Sequence, residues 1–219
     1  MIESAIFSVL LQSHRPTRII VVDDGSVDGT ADVLAAIERC QPAVQAVLLP
    51  YNQGASSACN AGLALVCEAW VAFLDSDDSW LPGAAQALFS TAATGGLDVI
   101  VGHFRRAWPD GHVDDPECGW SGDDIRGALA VTGAIGPSWS IVRTSTARSI
   151  NGFDPSFHNY NDWDYYTRAA AAGAKFGRIN AAVALYTHAN KGRLSHDHAI
   201  GDINAARVLA HDYFKDQAS

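Results

Sequence analysis

The chain has 219 residues, of which 48% are hydrophobic and 18% charged, a composition typical of one globular domain with a substantial core. Fifteen Lys and Arg residues against 24 Asp and Glu residues give a net charge of −9, which disfavours electrostatic binding to nucleic acid or to an anionic membrane. The four cysteines lack CxxC spacing and are expected to be reduced thiols of a cytoplasmic protein: Cys40, Cys59, Cys67 and Cys118.

The apolar runs indicate neither a membrane-spanning segment nor a secretion signal. The longest run, Ala61 to Leu74, contains Glu68 and is too short to cross a bilayer. The chain begins Met1-Ile-Glu-Ser, without the basic stretch of a signal peptide. We therefore expect a single domain, residues 1–219, in the cytoplasm, with attachment to a membrane surface through a partner left open.

Helix and strand patterns alternate through the first half of the chain. Ile2, Ala5, Ile6, Val9 and Leu10 recur at helical spacing and predict an amphipathic first helix. The pattern that follows predicts strands at 18–23, 44–49, 69–74 and 98–104, with helices at about 30–40, 56–66 and 82–94 between them. Such alternation is typical of an α/β fold with a mostly parallel sheet covered by helices on both faces.

The second half of the sequence is less regular. A hairpin tip is predicted at Trp108–His112, followed by a helix near 123–131, a strand near 138–143, a helix near 162–172 and a strand near 182–188. These elements predict a mixed lobe. We divide the single domain on this basis into a half of residues 1–104 and a half of residues 105–219.

Two acidic clusters follow predicted strands, Asp23-Asp24 and Asp75-Ser-Asp-Asp78. Ligands of open α/β sheets bind beyond the carboxyl ends of the strands, where both clusters would lie. Adjacent carboxylates repel one another unless a cation neutralises them, and Mg²⁺ or Mn²⁺ bound together with phosphate oxygens is the simplest such cation. The alternative is structural, with Asp78 capping the helix near Pro82 and the other carboxylates solvated in a turn.

The segments around these clusters resemble the motifs of family 2 glycosyltransferases, which are inverting enzymes of the GT-A fold. Residues 19–30, IIVVDDGSVDGT, are similar to the family's nucleotide-binding signature, and residues 72–80, AFLDSDDSW, to its DxD segment. Asn52 with Gly54, and Asn60 with Gly62, match its second motif. Residues 151–154, 161–168 and 186–188 resemble its later motifs, in the family's order.

The resemblance implies a nucleotide-sugar donor, typically a UDP-sugar, held by residues 1–104. Asp24 would accept a hydrogen bond from the base, unless its carboxylate only forms an Asx turn. Asp77 would bind the divalent ion and His188 would complete the metal or diphosphate site, although a lone histidine is more often a packed or surface group. Further donor contacts are expected from Asn52, Gly54, Asp75, Ser76 and Arg193, the last of which is equally well explained as a solvated loop residue.

The resemblance places the general base at Asp162, which would take the proton of the acceptor hydroxyl. At the start of a predicted helix the carboxylate would be kept ionised by the helix dipole, but the same position suits a simple helix cap. Asp164 is the competing carboxylate. Trp80, Trp139 and Trp163 are candidates for stacking on acceptor sugars, with core packing as the alternative. The acceptor implied is a glycan or a lipid-linked molecule of polysaccharide or cell-envelope synthesis.

Three features depart from the family pattern. Asn161 replaces the Glu that usually precedes the catalytic Asp, and Cys59 replaces the Arg that usually precedes the Asn of the second motif. The family's first strand, with its Pro-x-Tyr-Asn-like loop, is also absent, so the native start is expected upstream, or the chain is an impaired remnant. The strands beside that position are expected to move together or to leave a groove, because unpaired buried backbone groups cost about 1–3 kcal/mol each.

Two alternatives to an active transferase stay open. The departures fit a degenerate donor-binding module of the same fold. A phosphatase of the haloacid dehalogenase type also carries Asp-x-Asp after a strand, as at Asp75 and Asp77. That class usually has its nucleophile near the N-terminus, and Ser79 stands where it has Thr or Val.

Overall fold

The computed structural model describes residues 1–116, 120–188 and 198–215. Its helices are α1 (Ile2–Leu10), α2 (Thr30–Cys40), α3 (Ala55–Leu65), α4 (Ala84–Ala93), α5 (Ile125–Leu129), α6 (Thr144–Ser149), α7 (Asn161–Ala171) and α8 (His198–Leu209). Its strands are β1 (Ile19–Asp23), β2 (Val44–Leu48), β3 (Trp70–Ala72), β4 (Ser79–Trp80), β5 (Val99–Ala107), β6 (Val113–Asp114), β7 (Ser140–Arg143) and β8 (Phe176–Thr187). None of the helices, within the described ranges, combines the length and apolar character needed to cross a membrane.

The strands form two sheets in the described part of the chain. β1 and β2 pair in parallel, and the larger sheet has the order β3-β7-β5-β8-β4, with β6 paired to the end of β5. The α/β class is confirmed, but the larger sheet is mixed, because β7 runs antiparallel between β3 and β5 while β5 and β8 are parallel. Hydrophobic periodicity identifies a strand without fixing its direction, so the sequence did not predict this insertion.

Both faces of the larger sheet are buried. Val99 and Val101 of β5 point into one core with Val142 of β7, whereas Ile100 and Ile141 point into the other. All five side chains are fully buried, which explains why these strands are continuous apolar runs. Helices α3 and α7 contribute to the first core and α4 contributes to the second.

Helices, rather than strand pairing, join the small sheet to the large one. On one side, Ile6 of α1 packs in a cluster with Val21 of β1, and Val9 of α1 contacts the core beside β3. On the other side, α3 lies against β1 at Gly62 and reaches the core that contains Val71 of β3. No pairing between β1 and β3 occurs among the described residues. The strands beside the expected position of the family's first strand have therefore not joined into one sheet.

Candidate active site

The turn between β3 and β4 carries three aspartates whose oxygens converge. One carboxylate oxygen from each of Asp75, Asp77 and Asp78 lies within 4.8 Å of the others. The Asp78 amide donates to the Asp75 carbonyl at 3.1 Å, and the Asp75 amide donates to Ser138 Oγ at 3.2 Å. Asp75 and Ser76 are exposed, Asp77 is half-buried and Asp78 is buried. This acidic turn is therefore open to solvent at one end and anchored in the interior at the other.

Asp78 is a member of the acidic turn to which the sequence assigned no ligand role. Its Oδ1 accepts a hydrogen bond at 3.0 Å from the amide of Thr187, 109 residues further along the chain. The alternative in which Asp78 caps the helix near Pro82 is wrong, because α4 begins at Ala84 without a side-chain cap. The position of Asp78 next to Asp77 could have indicated that it belongs to the site. Its bond to Thr187 could not be predicted, because nothing in the local sequence identifies β8 as the strand that lies beside this turn.

The end of β8 brings His188 next to the acidic turn. Thr187 is bound to Asp78, and the following amide, that of His188, donates to the Ala107 carbonyl at 2.7 Å. The His188 ring lies 4.3 Å from the Trp108 ring, centroid to centroid. Two neighbouring strands, β5 and β8, thus fix the backbone at the position where the sequence predicted a metal or diphosphate ligand.

A second polar corner forms where the turn after β1 meets the turn after β2. The two carboxylate oxygens of Asp24 accept from the amides of Gln53 and Gly54 at 2.7 and 2.8 Å. These bonds, rather than the Asx turn considered for Asp24, engage its carboxylate, and the neighbouring Asp23 accepts from the Ser26 amide at 3.2 Å. Asp24 therefore ties the two turns together. Its carboxylate keeps capacity for another donor, because carboxylate oxygens offer about four lone-pair sites.

Glycines allow these two turns to approach closely. A Cβ on Gly25, where φ is +75°, would lie only 2.6 to 2.8 Å from the backbone of Tyr51 and Asn52. Gly54 precedes α3 at φ 89° and ψ 158°, a conformation that glycine alone adopts readily. Tyr51 and Asn52 are exposed, so the corner presents an aromatic ring and an amide beside the start of a helix. Arg193, the remaining predicted donor contact, lies outside the described residues.

The motif residue Asn60 has a structural role in this chain. Its Nδ2 donates to the Phe153 carbonyl and its Oδ1 accepts from the Phe153 amide, both at 2.8 Å. A Cβ on Gly152 would collide with the Asn60 side chain. Helix α3 therefore holds the Gly-Phe-Asp segment through one amide side chain, and this segment leads into α7.

Asp162 lies half-buried in the first turn of α7. Its Oδ1 accepts from the Trp163 amide at 2.8 Å. Burial raises the pKa of Asp162 to about 6. Hydrogen bonds from backbone amides lower this pKa, but their effect is smaller than that of burial. The helix dipole that was expected to keep this carboxylate ionised is thus outweighed by the loss of hydration. A carboxyl group with this pKa is ionised at neutral pH and accepts a proton readily, which suits a general base.

The competing carboxylate, Asp164, is already engaged. It is buried, and its Oδ2 accepts from Arg168 Nη2 at 2.6 Å and from Arg168 Nε at 2.8 Å. Arg168 Nη1 also donates to the carbonyls of Ile150 and Gly152 at 2.6 and 2.9 Å. This ion pair ties α7 to the preceding loop and leaves Asp162 as the better placed base of the two.

Two serines and a tyrosine connect Asp162 with the acidic turn. Tyr166 lies one helical turn after Asp162, and its hydroxyl is 2.5 Å from Ser140 Oγ. Ser138, two residues before Ser140, accepts from the Asp75 amide. Burial raises the pKa of Tyr166 well above its ordinary value, and the negative charges of Asp162 and Asp75 raise it further. Tyr166 thus links the helix that carries Asp162 to the segment that holds the acidic turn.

The three tryptophans predicted for acceptor binding differ in exposure. Trp80 and Trp163 are buried, and their indole N–H groups donate to backbone carbonyls at 2.9 and 2.7 Å. Both pack in the cores, as the structural alternative predicts. Trp139 is half-buried and stacks on Phe104 with ring centroids 4.3 Å apart. Of the three, Trp139 is the one that offers surface to an acceptor.

The two residues that depart from the family pattern lie beside the site as neutral groups. Burial and the nearby charge of Asp75 raise the pKa of Cys59 to about 12. Asn161 Nδ2 donates to Ser56 Oγ at 3.2 Å. Neither residue supplies the charge that the family pattern has at its position.

Comparison with known proteins identifies relatives of this arrangement. The family described as Glycosyl transferase family 2 matches residues 1–117. TuaG of Bacillus subtilis strain 168, provisionally assigned to teichuronic acid biosynthesis, is 46% identical over 79 residues, which are 36% of this chain and 31% of TuaG. WfgD of Escherichia coli, a UDP-Glc:α-D-GlcNAc-diphosphoundecaprenol β-1,3-glucosyltransferase, is 28% identical over 104 residues, which are 48% of this chain and 40% of WfgD.

A solved structure shares the fold over nearly the whole chain. The crystal structure of S. aureus TarS 1–349 in complex with UDP-GlcNAc has a TM-score of 0.77 and 18% identity, covering 96% of this chain and 63% of that one. This likeness confirms the GT-A fold. The chain spans about a third of the length of the first curated relatives it matches. Because the family match covers more than half of the 219 residues, the chain belongs to glycosyltransferase family 2.

Proposed function

We propose that the protein containing this chain transfers a sugar from a UDP-sugar to a hydroxyl group of a glycan or lipid-linked acceptor, with inversion, at the cytoplasmic stage of cell-envelope glycan synthesis. The observation that carries the proposal is the acidic turn, whose three carboxylate oxygens lie within 4.8 Å of one another and which is bound through Ser138 to the segment that contacts Tyr166, on the helix of Asp162. The relatives support the substrate class. The TarS structure was solved in complex with UDP-GlcNAc, and the name of WfgD gives UDP-Glc as the donor and a diphosphoundecaprenol-linked sugar as the acceptor.

The acidic turn fits a divalent cation of the Mg²⁺ or Mn²⁺ type. Three carboxylate oxygens within 4.8 Å of one another are the hard ligands that these ions prefer. Asp77 would be the direct ligand, with Asp75 beside it and His188 completing the site. Such an ion, bound with the donor, offsets negative charge on the leaving diphosphate. Asp78 contributes by holding Thr187, which places His188 at the same end of the sheet.

Asp162 would supply the acid–base chemistry. The acceptor oxygen attacks the anomeric carbon while the bond from that carbon to the diphosphate oxygen breaks, and the electron pair of the broken bond leaves with the nucleoside diphosphate. The hydroxyl proton passes to the Asp162 carboxylate. A pKa of about 6 keeps most of this carboxyl ionised at neutral pH. Attack from the face opposite the leaving group gives inversion.

The polar corner around Asp24 would bind the nucleoside. An imide N–H of uracil can donate to a carboxylate that already has a fixed position, and Asp24 is fixed by two backbone amides. Asn52 and Gly54 border the same corner. Ser76 and Arg193 remain proposed contacts of the diphosphate and sugar.

A donor screen read by release of nucleoside diphosphate tests the proposal. We expect release to need a UDP-sugar, an acceptor and Mg²⁺ or Mn²⁺. Asp162→Asn should lower transfer by about 100-fold or more and keep donor binding, whereas Asp164→Asn, the matched carboxamide variant, should keep transfer in its folded fraction. Full turnover by Asp77→Ala at saturating metal would show that the metal assignment is wrong.

A donor-binding module without activity is the second candidate. The unpaired edges of β1 and β3 and the neutral residues Cys59 and Asn161 favour it. Calorimetry with UDP- and GDP-sugars, with and without Mn²⁺, separates the two candidates. Donor binding that never leads to transfer supports the module, and no binding in either condition supports a scaffolding role.

A further inference from the structure

The hairpin between β5 and β6 places Trp108 against His188. The Trp108 amide donates to the His112 carbonyl at 2.8 Å, and the Gly111 amide donates back to the Trp108 carbonyl at 2.9 Å. The sequence predicted this hairpin tip but gave Trp108 no role. The Trp108 and His188 rings are 4.3 Å apart with a tilt of 54° between their planes. A residue of the hairpin thus contacts a side chain proposed for the donor site.

The indole of Trp108 is itself held in place. Its Nε1 donates to Asp114 Oδ2 at 3.1 Å. Arg106 donates to both oxygens of the same carboxylate, from Nη2 at 2.8 Å and from Nε at 3.1 Å. The Arg106 guanidinium also lies 4.5 Å from the centre of the Trp108 ring, within cation–π distance. Two interactions therefore hold the ring that His188 contacts, and the ion pair between Arg106 and Asp114 holds the two groups that make them.

We propose that Trp108 is a positioning residue, which orients the His188 imidazole for the diphosphate and its divalent ion; this inference rests on the proposed function. The backbone at His188 is fixed by the bond to Ala107 and by the neighbouring bond from Thr187 to Asp78. The backbone leaves the two side-chain torsions of His188 undetermined, and contact with a braced indole limits them. Preorganising a ligand side chain in this way strengthens binding, because less conformational freedom is lost when the ligand arrives.

Calorimetry of UDP binding with and without Mn²⁺ tests the inference. Trp108→Ala is expected to weaken the Mn²⁺-dependent binding about 3- to 10-fold and to leave the Mn²⁺-free binding unchanged. The matched control is Phe89→Ala, which removes another half-buried ring that stacks on a histidine, His14, at 5.3 Å, and it should have no effect. The double variant Trp108→Ala/His188→Ala should bind like His188→Ala alone. Unchanged affinity in Trp108→Ala, or additive losses in the double variant, would overturn the positioning role.

Two further measurements keep the outcomes distinct. Asp77→Ala should remove the Mn²⁺-dependent binding, and if it does while Trp108→Ala has no effect, only the inference about Trp108 fails. If the unchanged protein shows no Mn²⁺-dependent binding of UDP, the proposed function and the inference both fail.

NMR of the metal-free protein tests the contact between the two rings directly. The ring protons of His188 should carry an upfield ring-current shift that Trp108→Ala removes and Trp108→Phe partly keeps. Absence of that shift contradicts the contact itself, and the Phe variant guards against a folding defect.

Discussion

At the scale of single residues, the first turn of α7 carries two aspartates, Asp162, which the sequence favoured as the base, and its competitor Asp164. Asp164 pairs with Arg168 at 2.6 Å, so its charge is neutralised inside the protein. For Asp162, burial is the largest influence on the pKa and outweighs the hydrogen bonds from backbone amides. The two carboxylates are two residues apart, and their surroundings give them different chemistry.

The pH dependence of transfer follows from the pKa of Asp162, about 6. We expect kcat/KM for the acceptor to rise as pH increases through about 6 and to level off above it, because the ionised form is the base. In Asp162→Asn, transfer should fall by about 100-fold or more and should lose this dependence. The measurement is the rate of UDP release between pH 5 and pH 8 at saturating donor. A rate that stays flat across pH 6 in the unchanged protein would contradict the assignment of the base.

Stability should respond to Asp162 in the opposite sense to activity. The pKa is raised from its ordinary value of 3.8 to about 6 in the folded state, so the folded protein binds this proton more tightly than the unfolded chain. The ionised carboxylate therefore lowers stability above pH 6, and the effect disappears below about pH 4. Asp162→Asn should raise the free energy of unfolding at pH 8 by up to about 3 kcal/mol and leave it unchanged at pH 4. Urea unfolding at the two pH values measures this difference, and a loss of stability at pH 8 would argue against the buried carboxylate.

At the scale of elements, α3 connects the polar corner around Asp24 to the start of α7. Its first turn follows Gly54 at the polar corner, its middle residue Asn60 holds Phe153, and Ser56 accepts from Asn161 at the start of α7. The helix thereby fixes two loops that are distant in sequence. Its Cys59 packs against the core, where burial, with the charge of Asp75, raises the pKa of the thiol.

Truncation of Asn60 should separate the structural from the ligand-binding members of the second motif. Asn60→Ala removes two hydrogen bonds to Phe153, and we expect a loss of about 2 kcal/mol in the free energy of unfolding. Asn52→Ala, the same change at an exposed turn, should cost under about 0.5 kcal/mol but should weaken UDP binding. Urea unfolding and calorimetry on both variants check the pair. Equal stability losses would show that Asn60 is not the support of the Gly-Phe-Asp segment.

Local patterns determined how much of these elements could be predicted. The helical spacing of Ile2 to Leu10 and the β-branched run at 19–22 gave α1 and β1 close to their observed bounds. The short β4 and the helix α6, Thr144–Ser149, were not predicted, because the first has two residues and the second is rich in Ser and Thr, which favour helices weakly. Helix α8, His198–Leu209, was also missed.

The members of the candidate site that belong to a continuous sequence motif could be predicted, and those that depend on contacts between distant parts of the chain could not. Asp75 and Asp77 follow a strand, and that motif is visible in the sequence. The roles of Asp78, Tyr166 and Trp108 depend on partners far along the chain, such as the bond between Asp78 and Thr187 across 109 residues. No spacing rule indicates such a partner before the strands are paired.

At the scale of the whole molecule, each sheet has an edge strand with unpaired backbone groups, β1 in the small sheet and β3 in the large one. The bonds of Ile19 to Ala43 and of Leu49 to Asp23 show which amides of β1 face β2. Because a parallel ladder alternates, the amides of Ile20 and Val22 point away from β2. The bond from Thr144 to Ala69 fixes the same alternation in β3, whose outward residues are Trp70 and Ala72.

Hydrogen exchange should report these unpaired edges. We expect the amides of Ile20, Val22, Trp70 and Ala72 to exchange about tenfold faster or more than those of Val21 and Val71, which lie in the ladders. Val21 lies on β1 between Ile20 and Val22, and Val71 lies on β3 between Trp70 and Ala72, so these two residues serve as internal controls. Exchange followed by NMR at single amides is the measurement. Equal protection of all six amides would mean that β1 and β3 are closed by a partner in solution.

The bond between Asp78 and Thr187 also sets an order of assembly on the ribosome. The acidic turn emerges 109 residues before the strand that anchors it, an interval of roughly 5 to 20 seconds at ordinary rates of translation. β4 pairs with β8, so the nascent chain cannot complete this edge of the larger sheet until β8 has been synthesised. Residues 1–117, which match the family, are consequently synthesised before the strand that anchors the acidic turn.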